Sequence, residues 1–171
     1  LLFVAYQLWG TGLQEAKSQK VLSKEFDALV SEAGATSTTA APTTTAAPTT
    51  TLPGTTPTIA VEKSKPRTVD VPLPAEGDPI AKIRIPAIGV SRTVVSGVAL
   101  SQLKRGPGHY PETPLPGQAG NVAIAGHRTT YGQPFHNVDK LEPGDQIITT
   151  TVQGEFVYEV ERLEIVKPDA V

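Results

Sequence analysis

The chain has 171 residues, a net charge of −2 and a pI near 5.9, so no global basic field points to nucleic acid. It contains no cysteine, which excludes disulfides, thiolate metal sites and a cysteine nucleophile within these residues. Sixteen prolines and 15 glycines beside a hydrophobic fraction of 39% imply that only part of a one-domain length is packed. The first residue is Leu1 rather than methionine, as expected of a fragment or a trimmed product.

Residues Leu1 to Leu13, LLFVAYQLWGTGL, are apolar, with Tyr6 and Trp9 placed like the aromatic belt at a membrane exit. The run is shorter than the ~20 apolar residues that cross a bilayer. Alone it fits a buried core helix, a signal-peptide remnant or the outer end of a transmembrane helix. The character of the next segments favours the last. From Gln14 to Val30, the spacing of Val21, Leu22, Phe26, Leu29 and Val30 predicts a short amphipathic helix ending near Gly34.

Between Thr36 and Thr58, 12 of 23 residues are threonine and four are proline. Such a composition buries too little apolar area to offset its ordering entropy, so a disordered linker is expected. In polyproline II form, continued to Lys65, it would reach on the order of 80–90 Å, a spacer above a membrane. Threonine-rich stalks of this kind are also O-glycosylation candidates.

The texture changes at Asp78. Ala81 to Ile85, AKIRI, alternates apolar and charged residues as a half-buried strand does, and Pro86 stops it. RTVVSGV makes a second strand, Ser101 to Arg105 one helical turn, and Tyr110 to Gln118 a proline-rich loop. Asn121 to His127, NVAIAGH, reads as a small-residue strand delivering His127 at its end. His136 falls in an expected helical turn, FHNVDKL. Gln146 to Val152 and Glu155 to Val160 form a hairpin about Gln153-Gly154, with glycine supplying the positive φ of a tight turn. Phe156, Tyr158 and Val160 share a face, whereas Leu163 and Ile165 are out of phase, which predicts a bulge or kink near Arg162. The expected fold is mainly β, an open barrel without its last strands. The domains are residues 1–34 (membrane-exit and juxtamembrane helix), 35–77 (Thr/Pro/Ala-rich linker) and 78–171 (the β-domain).

Of three histidines, His109 lies in a loop and His136 in the helical turn, where a structural role is the simpler reading. Strand-end placement and the absence of a side chain at Gly126 single out His127. Ser96 lacks the flanking pattern of a nucleophile elbow. His127 and His136 are nine residues apart with no HExxH or carboxylate cluster, so neither a metal nor any other cofactor is expected.

The stretch from Gly106 to Asp145 resembles the sortase family, and class E sortases of actinobacteria in particular. Ala125-Gly126-His127-Arg128 is similar to the family's histidine motif. Thr129-Thr130-Tyr131-Gly132, Pro134-Phe135 and Gly106-Pro107-Gly108-His109-Tyr110 are also class E-like. The resemblance implies a membrane-anchored cysteine transpeptidase with an extracytoplasmic β-barrel. Its partners would be a sorting-signal peptide of LPxTG or LAxTG type and a cell-wall precursor amine. In that family a cysteine thiolate attacks the Thr-Gly carbonyl, a histidine moves the proton and an arginine faces the oxyanion. Only the histidine maps here, onto His127, as acid/base. The cysteine and arginine would lie beyond Val171, so this chain alone is expected to be inactive. Arg128 is not the family's arginine. The Asp78-Pro79 pair resembles the lid motif of class C sortases, but its position before the first strand favours a strand-entry role. The competing reading is a non-catalytic sortase-like domain that binds a peptide or the cell wall.

Overall fold

A computed structural model describes residues 11–36 and 74–166. The expected membrane-exit residues 1–10 and nearly all of the Thr/Pro-rich linker lie outside them. Helix α1 spans Thr11–Thr36, and β1 Pro79–Ile85 runs antiparallel to β2 Val90–Ser96. A four-residue helix, α2 (Leu100–Leu103), forms part of the crossover to β3, Gly108–His109, which lies parallel to β2. The sheet is completed by β4 (Ile124–Ala125), β5 (Gln146–Thr151) and β6 (Gly154–Glu159). Spatial order is β4-β3-β2-β1-β5-β6, a curled six-stranded sheet with the mainly β character expected.

β1 follows the alternation of its sequence. Ile83 and Ile85 are buried, Lys82 is half-buried and Arg84 is exposed, because successive side chains leave opposite faces. A register shift between Pro79 and Ala81 marks a bulge and adds Ile80 to the buried set. Pro86 opens a single 3-10 turn, and Gly89 closes it at φ 68°. The core gathers Ile80, Ala81, Ile83, Ile85, Val94 and Leu141.

Two expectations are corrected. The Asn121–His127 strand shrinks to Ile124–Ala125, whose partner β3 is itself only two residues long. The kink near Arg162 is instead the end of the ladder. The last backbone bonds join Gly144 and Asp145 to Val160, and beyond them Ile165 is 99% exposed. The hairpin appears as expected, with Gln153-Gly154 at its tip.

Helix α1 is docked on the sheet on the Lys82 side of β1. Leu22 and Phe26 are fully buried, whereas Val21 and Leu29 of the expected apolar stripe stay largely exposed. Burying two such side chains contributes roughly 1.5–3 kcal/mol each. The rest of the docking face is polar. Gln19 Nε2–H donates to the carbonyls of Thr93 (3.0 Å) and Arg105 (2.9 Å), and Thr93 N–H donates to Gln19 Oε1 (2.7 Å). β3 covers β2 only at Val95 and Ser96. Beyond it the Gln19 amide takes the place of a strand and satisfies the open edge. Lys82 Nζ pairs with Asp27 at 2.6 Å. The far end of α1 (Leu29, Glu32, Ala33) and residues Pro74 and Ala75 line one cavity. Among the described residues no helix is long and apolar enough to cross a membrane.

Candidate functional site

The three histidines separate by environment. His109 is 2% exposed, and its Nε2 lies 2.9 Å from the Pro114 carbonyl and 3.1 Å from Thr113 Oγ1. A carbonyl can only accept, so Nε2 carries the proton. The Thr113 hydroxyl donates to Tyr110 O (2.9 Å) and accepts from Ala123 N–H (3.2 Å). His109 lies in β3 rather than in the expected loop, and it ties the proline-rich loop to that strand. His136 is exposed and donates from Nδ1 to Arg128 O at 3.1 Å.

His127 differs. It is half-buried just past β4, and its Nδ1 is buried with no hydrogen-bond partner among the described residues. A buried imidazole nitrogen without a partner is an unsatisfied polar group, rare enough in a folded protein to single out this residue. The Tyr131 ring meets the imidazole edge-on, with centroids 4.9 Å apart and planes at 74°. The main chain of His127 is fixed by Phe135 N–H donating to its carbonyl at 3.2 Å. A β-carbon at Gly126 would stand 2.7 Å from the Phe135 ring. Glycine therefore admits Phe135 to the back of the histidine strand, rather than sparing the imidazole as the sequence suggested.

The loop that follows is strained. Tyr131, Gly132 and Gln133 have φ of 48°, 68° and 40°, three consecutive left-handed residues of which two carry side chains. Gln133 N–H bonds to Thr130 O at 2.9 Å, and Lys104 Nζ sits 5.7 Å from the centre of the Tyr131 ring. Arg128 points away into an ion pair with Asp139 at 3.0 Å. Glu15 of α1 reaches this loop from below. Its side chain is 4% exposed and its Oε1 lies 3.1 Å from Arg92 Nε, close enough for an ion pair but not aligned as a hydrogen bond. Burial pushes the Glu15 carboxyl above its ordinary value, and the Arg92 guanidinium offsets this only in part. Reading α1 for apolar periodicity alone missed Glu15 and Gln19. Their i, i+4 spacing on the line of Leu22 and Phe26 was the available signal.

An apolar groove of about 480 Å³ runs along the concave face, lined by Ile83, Ile85, Ile124, Phe135, Leu141 and Ile147. Neither this groove nor the larger cavity, about 620 Å³ at the end of α1, is lined by His127. No cluster of groups suited to a metal ion occurs among the described residues.

A family model described as the sortase domain matches residues 83–171. Sortase SrtE1 of Streptomyces coelicolor is 41% identical over 91 residues, covering 49% of this chain and 26% of that protein. A sortase D5 transpeptidase of Clostridium perfringens superposes with a TM-score of 0.51 at 40% identity, covering 54% of this chain and 59% of the other. Sortase C of Clostridium perfringens, solved with the C-terminal cell wall sorting motif, gives a TM-score of 0.51 at 30% identity. It covers 55% of this chain and 52% of that one. The match spans about a quarter of the curated relative's length and just over half of each solved domain.

Proposed function

Since the chain belongs to the sortase family, with class E relatives among its matches, we propose that it builds the histidine-bearing half of a transpeptidase barrel working on sorting-signal peptides. His127 is the acid/base. The observation that carries this reading is its half-buried imidazole with an unpaired Nδ1, at the end of the Ala-Gly-His-Arg motif.

The reaction divides into two acyl transfers. A cysteine thiolate attacks the Thr-Gly carbonyl of an LPxTG- or LAxTG-like signal, the C–N bond breaks, and His127 protonates the departing glycine amine. His127 then accepts the proton of a cell-wall amine as that nitrogen attacks the thioester, the C–S bond breaks and the thiolate is released. Imidazole suits both steps because its pKa lies near neutrality. The thiolate is not among these 171 residues, which contain no cysteine, so they do not complete the reaction by themselves. The oxyanion donor is not Arg128, which Asp139 already engages. In this reading the protein is anchored to the membrane, and the barrel works on the extracytoplasmic side.

Replacing His127 with alanine in the full-length enzyme should abolish transfer of a labelled sorting peptide to an amine. Retained transfer would overturn the assignment. Saturable binding of the peptide by the unaltered enzyme, without turnover, would favour a peptide-binding domain instead.

A further inference from the structure

The strained run at residues 131–133 lies directly beside His127, yet its middle residue meets a side chain from the distant N-terminal helix. The carboxyl group of Glu15 occupies the space in which a β-carbon at Gly132 would stand, with Glu15 Cγ 3.1 Å from that point. Left-handed residues persist only where their surroundings over-determine them. Here Thr130 O holds Gln133 N–H, Lys104 sits over Tyr131, and Glu15 backs Gly132. Tyr131 carries the effect onward, because its ring is the edge-on neighbour of the imidazole.

Resting on the reading of His127 as acid/base, we propose that Glu15 is a positioning residue for it. The carboxylate, anchored by Arg92, holds the 131–133 run in its left-handed form, and the Tyr131 ring transmits that geometry to His127. Helix α1 is docked without this contact, through Leu22, Phe26 and the three hydrogen bonds of Gln19. A buried carboxylate facing an imperfectly aligned guanidinium is a poor source of folding stability. Its worth lies in fixing one conformation of the loop. The N-terminal helix thereby becomes part of the enzyme, and the catalytic histidine is correctly set only while that helix is docked.

The test uses the full-length enzyme and a labelled sorting peptide. Glu15→Ala should lower kcat between about tenfold and 100-fold, the scale of a small misplacement of a catalytic group. KM should stay within about twofold, because the peptide is not touched. The histidine limb of the pH profile should shift, and the exposed control Asp27→Ala should leave kcat unchanged. A folded Glu15→Ala enzyme with unaltered kcat and pH profile would overturn the proposal. Should that variant fail to fold, Gly132→Ala drives a methyl group onto the carboxylate from the other side. Gly132→Ala should then lower kcat with KM little changed, and a folded Gly132→Ala enzyme with unaltered kcat would refute the contact. Retained transfer by His127→Ala would instead remove the reading on which the proposal rests, an outcome separable from failure of the brace.

Discussion

The two sides of β1 are finished differently. On the Lys82 side, α1 closes the surface with two buried apolar side chains, a strand-like amide to Thr93 and an ion pair to Lys82. On the Ile83 and Ile85 side, the same strand faces an apolar groove of about 480 Å³ that α1 does not line. The helix side is specified by polar contacts of fixed geometry, which allow one register. The groove side is specified only by apolar area, which accepts any complementary surface.

The largest test of this contrast is Phe26→Ala. Its ring is 1% exposed, and losing it should lower stability by about 3–5 kcal/mol, measured by denaturant unfolding. A loss near zero would mean that α1 is not docked in solution. Gln19→Ala should follow at about 1–3 kcal/mol, because it strips partners from Thr93 and from the Arg105 carbonyl. Hydrogen exchange of the Thr93 amide should rise with it, and unchanged protection would sink the amide-for-strand account.

The pH dependence sharpens the contrast further. The Glu15 pKa is raised in the docked state, so that state holds the proton more tightly than the free helix does. The helix side is therefore most stable below the ordinary 4.5 and weakens as pH rises through the raised value. Glu15→Gln should flatten this slope in a pH series of unfolding midpoints, and an unchanged slope would assign it to another group. The smallest effect belongs to Asp27→Ala. Its ion pair with Lys82 is exposed, and the loss should not exceed about 1 kcal/mol.

What could be read in advance followed from periodicity and punctuation. AKIRI before Pro86 located β1, Gln153-Gly154 located the hairpin, and the motif around His127 located the candidate site. The length of β4 could not be read. Asn121 to His127 is apolar enough for a longer strand, but its length is set by a partner that pairs only at Gly108 and His109. The docking face of α1 was missed for a related reason. Val21 and Leu29 look equivalent to Leu22 and Phe26 until the polar anchors Glu15 and Gln19 fix the rotation of the helix. The partner of a hydrogen bond made some 74 residues away cannot be read locally, and only the i, i+4 spacing of Glu15 and Gln19 marks the face.

Ala33 of α1 and Pro74 before β1 line one cavity, and this bears on how helix and sheet are held together. A single cut anywhere between them would not by itself part the two pieces, since every contact of Gln19, Leu22, Phe26 and Asp27 would survive. The cut would turn an intramolecular association into a bimolecular one. The intact chain supplies an effective concentration of the helix at its docking site, set by the length of chain that joins them. Chain length there sets how often the helix rebinds after it lets go, and leaves untouched how tightly it grips.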